Sequence, residues 1–144
     1  MYIDIDYIKC FISDTDITAL LRDNSEPEYI NFERLTAMIN VASNIVDSYI
    51  KRAGYVVPIL NYDNYIQHIA FKIFRHLIYA RKYNDEEYKK TVIYQEYIDT
   101  VNELTAIAEG RIPVSGAERL SQETALLISN KVSNDRKFTD WELR

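Results

Sequence analysis

Residues 42–60 read ASNIVDSYIKRAGYVVPIL, and the fold of the chain turns on this stretch. Ala42, Ile45, Val46 and Tyr49 recur at helical spacing, so its first half is the end of an amphipathic helix. Gly54 then supplies a stop, because helices commonly end on a residue in the left-handed conformation that glycine adopts without cost. Tyr55, Val56, Val57, Pro58, Ile59 and Leu60 form an extended apolar link, favoured by the β-branched pair and by Pro58, which keeps Val57 out of the α region. A second long helix begins near Tyr62. The stretch is a junction between two helices and contains no residue suited to catalysis.

Working outward, the upstream helix is predicted over 31–51, with an apolar stripe of Leu35, Met38, Ile39, Ala42, Ile45, Val46 and Tyr49. The downstream helix is predicted over 62–83. Its stripe of Ile66, Ile69, Ala70, Ile73, Phe74, Leu77 and Ile78 is wide enough to pack against two neighbours. The other side of that helix carries His68, Lys72, Arg75 and His76, so its cations share a face predicted to meet solvent. A third long helix is expected over 86–109 through Tyr94, Tyr97, Ile98, Val101, Leu104 and Ala108, stopped by Gly110. Before the junction, 4–11 and 17–21 read as short helices, the latter capped from Ser13–Asp16, and turn chemistry makes 22–28 a loop. Past Gly110 no complete amphipathic face recurs, although 125–128 is an apolar run.

The fold class expected is mainly α: an antiparallel helical bundle of three long helices plus short N-terminal helices, with an extended loop and a C-terminal arm. Residues 1–110 are the helical domain and 111–144 the arm, extended or partly ordered. Ile45, Tyr49, Ile69, Ile73, Phe74, Leu77, Val101 and Leu104 are expected in one buried cluster.

The composition suits one globular domain: 144 residues, 47% apolar and 27% charged, with only three glycines and three prolines to interrupt helices. Twelve tyrosines fit half-buried positions and subunit contacts, or a composition inherited from an AT-rich genome. A single cysteine, Cys10, excludes an internal disulfide framework and reads as a small core residue. No run approaches a membrane span or a signal peptide, so an intracellular, soluble chain is expected. The net charge of −5 is uneven: 1–50 carries −6, 51–90 carries +4 and 91–144 carries −3. Such a subunit can associate head to tail or turn its basic face to a polyanion.

Catalytic and metal-binding patterns are missing. His68 and His76 lie eight residues apart, about 12 Å along a helix, too far to share one metal ion unaided. The carboxylates of Asp14, Asp16 and Asp23 lack the spacing of a calcium loop and serve better as caps. Asp99 and Glu103 are expected on a solvated face. No phosphate loop, nucleophile elbow or cysteine pair occurs. No enzyme activity, cofactor or metal is expected.

The order of motifs resembles the phage Mu-type head–tail connector family of tailed phages and prophages. The landmarks are Met1-Tyr2-Ile3 followed by Asp4 and a short helix; Leu20-Leu21-Arg22-Asp23 before a loop; and the helix ending from Ile45 through Tyr49 and Arg52 to Pro58 and Leu60. Ile69-Ala70 to Ile78-Tyr79, Ile107-Ala108-Glu109-Gly110, and a tail of Arg136-Lys137-Phe138-Thr139-Asp140 complete the series. Gly54 before Tyr55 and Trp141 after Asp140 depart from the pattern. The resemblance implies a structural virion protein, a head-completion adaptor that forms a homo-oligomeric ring between portal and tail. Its expected partners are the portal and the tail or neck proteins, with non-specific DNA contact in a channel and no membrane. Its expected location is the virion head–tail junction, and the host cytoplasm before assembly. In such a ring, Tyr55, Val56, Val57, Pro58 and Ile59, with Leu126, Leu127, Ile128 and Phe138 of the arm, are the candidate subunit interface. His68, Lys72, Arg75 and His76 would line a channel or pair with acids of a neighbour. The alternative is a small helical DNA-binding or regulatory protein of a prophage, since that basic face could also meet a phosphate backbone.

Overall fold

The computed structural model describes residues 1–25 and 27–120. Among these residues it is mainly helical, with no strand: α1 (Ile5–Lys9), α2 (Asp14–Leu21), α3 (Phe32–Arg52), α4 (Asn64–Ala80), α5 (Asp85–Tyr88) and α6 (Val92–Ala108). Each helix starts on a side chain that accepts a first-turn amide: Asp4, Ser13, Asn31, Asp63, Asn84 and Thr91. These caps correct two of the expected boundaries. Asp63 starts α4 one residue after itself rather than at 62, and the helix stops at Ala80. The helix expected over 86–109 is interrupted, because Thr91 caps a new helix while its hydroxyl donates back to the Tyr88 carbonyl at 2.7 Å.

The three longer helices α3, α4 and α6 pack on one another pairwise, and α2 and α5 both lie against α4. One core runs through them, from Leu35, Ile39, Val46 and Ile50 on α3 through Ile66, Ile69, Ile73, Phe74 and Ile78 on α4 to Leu104 and Ile107 on α6. Ile69, Ile73, Phe74 and Leu104 are buried as expected, whereas Ile45, Tyr49 and Leu77 only flank the cluster and Val101 is half-buried outside it. The buried side of α3 is turned toward Ser43 and Ile50 because the N-terminal segment lies along it. On α6 the inward positions are Thr100, Leu104, Ala106 and Ile107, with the Thr100 hydroxyl satisfied by the Glu96 carbonyl at 2.7 Å. Cys10 is exposed, contrary to the core expectation: α1 is short, its buried residue is Ile8, and position 10 turns outward.

Two polar knots fix the elements around this core. Tyr2 is almost wholly buried; its amide donates to Ser43 Oγ at 3.2 Å, its hydroxyl donates to Asp47, and the Ile59 amide donates to that hydroxyl at 3.0 Å. Burial, with the Asp47 carboxylate, pushes the phenol well above its ordinary pKa, so it stays a neutral donor. The second knot is at the end of α2, which has no basic residue in its last turn. Arg34 and Arg81 both donate to the Leu21 carbonyl, Lys82 donates to the Arg22 carbonyl, and Asp23 accepts from both arginines. Cations brought from α3 and from the end of α4 thereby satisfy carbonyls that a helix end leaves unpaired.

Phe74 is fully buried where α4 meets its neighbours, so Phe74→Ala is expected to lower the unfolding free energy by about 3–5 kcal/mol. Denaturant unfolding with an unchanged slope checks it; a loss under about 1 kcal/mol would place Phe74 outside the core.

Candidate functional site

The link after α3 is built from a helix stop. The Gly54 amide donates to the Lys51 carbonyl at 3.0 Å and the Tyr55 amide to the Ile50 carbonyl at 3.4 Å, the paired bonds of a glycine-terminated helix, with Gly54 at φ +87°. From there the extended chain alternates its side chains. Tyr55 and Ile59 point inward and are buried; Val56, Pro58 and Leu60 point out, and Val57 is half-buried. The expectation that Tyr55 and Ile59 face a neighbouring subunit is therefore corrected: both belong to the chain's own core.

Residues 111–120, the first part of the expected arm, fold back over this link. The Val56 amide donates to the Glu118 carbonyl at 2.7 Å and the Leu120 amide to the Gly54 carbonyl at 2.8 Å. These bonds bracket Tyr55 and Arg119, a non-hydrogen-bonded antiparallel pair, and the Arg119 guanidinium lies 5.4 Å from the centre of the Tyr55 ring. The hydrogen bond from Arg119, with that from the Val114 amide, lowers the Tyr55 pKa. Gly116, at φ +73°, passes so close to Asn61 that a Cβ would stand 2.0 Å from its carbonyl oxygen. Val56, Pro58, Leu60 and Gly116 line a crevice of about 100 Å³ on the outer side. Leu126, Leu127, Ile128 and Phe138 lie outside the described residues.

The cationic side of α4 is also occupied from within the chain. Arg75 pairs with Glu96, Lys72 stands 4.0 Å from Glu103, and the Tyr65 hydroxyl donates to Glu103 at 3.0 Å. The His76 ring stacks on Tyr97 with centroids 3.5 Å apart, and its Nδ1 lies 2.7 Å from the Tyr88 hydroxyl. The predicted solvent-facing basic stripe is thus corrected for Lys72, Arg75 and His76, which pack against α5 and α6; only His68 is exposed. Glu103, expected on a solvated face, is the carboxylate that receives Tyr65 and Lys72. Arg81 and Lys82, the cations that follow α4, both donate to carbonyls at the end of α2. Sequence reasoning missed Glu96 and Tyr97 as partners, although two acids of α6, Glu96 and Glu103, match Lys72 and Arg75 of α4 in reverse order. Burial lowers the pKa of His76 and, with Lys72 and Arg75 adding, that of His68. Burial, helped by Tyr97, pushes the Tyr88 phenol up to about 12.

A wider polar concavity of about 630 Å³ beside α2 has its charges engaged: Arg22 binds Glu28 at 3.0 Å, Asp14 holds Lys9 at 3.3 Å, and Lys82 holds the Arg22 carbonyl. No group of His, Cys, Asp or Glu among the described residues could hold a metal ion. No helix among them is long and apolar enough to cross a membrane. On the outer side of the link Val56, Pro58 and Leu60 remain as exposed apolar groups.

The family model described as Bacteriophage Mu, Gp36 matches residues 2–126, and the chain belongs to that family. No curated protein and no solved structure matches the chain.

Two outcomes follow from this geometry. Gly116→Ala forces a strained φ and a clash with backbone, so a loss of at least ~1–3 kcal/mol is expected, with faster proteolysis near 112–120. An unchanged melt would show that the strap formed by residues 111–120 does not hold the link. His76 has a folded pKa below the ~6.5 of the unfolded imidazole, so its stability is present above that value and lost as pH falls through the folded pKa. His76→Gln is expected to flatten the loss of stability between about pH 7 and 5 in unfolding titrations; a slope equal to the wild type would contradict it.

Proposed function

We propose that this member of the Mu Gp36 family is a structural virion protein, a head-completion adaptor that forms a ring between portal and tail at the head–tail junction. Membership of that phage family over residues 2–126 carries the reading. The geometry supports it in kind: a helical body with paired internal charges and an apolar link pinned at its end suits a component that acts by contact. Tyr65 and Lys72 meet Glu103 while Arg75 meets Glu96, so contacts along α4 and α6 run in opposite senses, in keeping with an antiparallel bundle of three long helices. The role is non-enzymatic and needs no cofactor; the partners are the portal and the tail or neck proteins, met after synthesis in the host cytoplasm. A prophage DNA-binding role is less favoured, because the cations that would face phosphates, Lys72 and Arg75, are paired with Glu103 and Glu96.

The test is deletion of the gene from an inducible prophage, followed by electron microscopy of the lysate. DNA-filled heads and separate tails, rejoined on complementation, are expected. Normal numbers of tailed, infectious particles from the deletion strain would refute the assignment.

A further inference from the structure

We infer that the outward tip of the α3–α4 link docks on a second copy of this chain, at the corner made by α1 and the start of α2. The inference rests on the adaptor reading, because a ring requires each subunit to meet its neighbours through two different surfaces.

The tip is the first of these surfaces. Leu60 is 85% exposed, and Val56 and Pro58 share its outward side around the small crevice, with exposed Leu120 on the strap beside them. One solvated leucine is ordinary, but several outward apolar groups on one link form a patch. The link is also held: the Val56–Glu118, Leu120–Gly54 and Ile59–Tyr2 hydrogen bonds fix its backbone. A pinned apolar tip loses little freedom on binding, which favours contact. The exposed charges flanking it are Lys51 and Arg52 at the end of α3 and Arg119 beside Tyr55, against Glu118 and the capping Asp63, so cations are in the majority.

The corner is the second surface, and its character is the converse. Phe11 is 57% exposed and rests on the Phe71 ring at 4.9 Å, with Tyr7 beside it at 5.1 Å. On α1, the start of α2 and their caps, Asp4, Asp6, Asp14 and Asp16 are all exposed; of the cations near by, Lys9 is bound to Asp14, and Arg75, 5.6 Å from the Phe71 ring, is paired with Glu96. An aromatic knob on an acidic segment complements an apolar tip with an excess of cations beside it. Tip against tip, or corner against corner, would bring like charges together, so the charge pattern selects the head-to-tail contact. The crevice beside Leu60 is of a size to take the edge of one aromatic ring, which is what Phe11 offers.

The experiment uses the full chain in sedimentation velocity under crowding conditions where the wild type associates. The variants are Leu60→Ser, the tip pair Lys51→Glu with Arg52→Glu, and the corner pair Asp6→Lys with Asp14→Lys. All of these positions are exposed, and thermal melts check that the folded monomer is kept. Each variant alone is expected to weaken association about ten-fold or more. An equimolar mixture of the two charge-reversed variants is expected to restore it, since both kinds of contact are then complementary. Association unchanged in the variants, or a mixture that stays dissociated, overturns the contact. So does a Leu60→Ser chain whose monomer melts lower while association is unaffected, which would mean that the tip is covered within its own chain. A wild type that remains monomeric when crowded also overturns it, and the adaptor reading is then judged separately by the particle morphology of the deletion strain.

Discussion

The buried hydroxyl of Tyr2 donates to Asp47 and accepts from the Ile59 amide, while the Tyr2 amide donates to Ser43. Three segments distant in sequence meet at that side chain: the N-terminal stretch, the middle of α3 and the link before α4. A buried donor or acceptor left without a partner costs about 1–3 kcal/mol, so each of these groups depends on the others being in place. The arrangement also sets the orientation of the link. With the Ile59 amide drawn inward, Leu60 is turned out, and the edge-on packing of Tyr62 against the Tyr2 ring at 5.1 Å fixes the entry to α4.

The α4–α6 interface shows how the chain disposes of charge near its core. Lys72 and Arg75 flank the apolar stripe of α4, where their stems are partly covered and only a fifth to a quarter of each side chain is exposed. At such depth a charge needs a partner, and Glu96 and Glu103 supply it from the same chain. Exposed ion pairs add little to stability. These half-buried ones serve more to fix the register of α6 on α4, with the His76–Tyr97 stack beside them.

Much of this was legible in the sequence because helix periodicity and glycine stops are local signals. Ile69, Ile73 and Phe74 fell on the inward side of α4 from spacing alone, and Gly54 and Gly110 ended their helices as expected. What could not be read was which half of a wide stripe faces which neighbour. The basic side of α4 looked solvated because lysine and arginine usually are, and only the approach of α6 shows that they are paired. Val101 and Cys10 failed for a related reason: their helices bury a narrower side than their apolar neighbours imply. The Tyr55–Leu60 link was recognised as extended and apolar, but its alternation, inward at Tyr55 and Ile59, required the strap of 111–120, whose pairing with 54–56 has no local signature. Thr91 did leave a signal, a threonine cap inside an apparently continuous helix.

The borrowed cap of α2 has a kinetic implication. A helix that ends on its own lysine or glycine can close its last turn as soon as it forms. The last carbonyls of α2 instead wait for Arg81 and Lys82, about sixty residues later in the chain, and for Arg34 thirteen residues on. The entropy of closing that long loop must be met before the cap can form. An eight-residue helix is only marginally stable alone, so α2 should consolidate after α3 and α4 have docked and should be the first to fray when they part. The order of assembly within one subunit is thus written into which helix owns its own ending and which must borrow it.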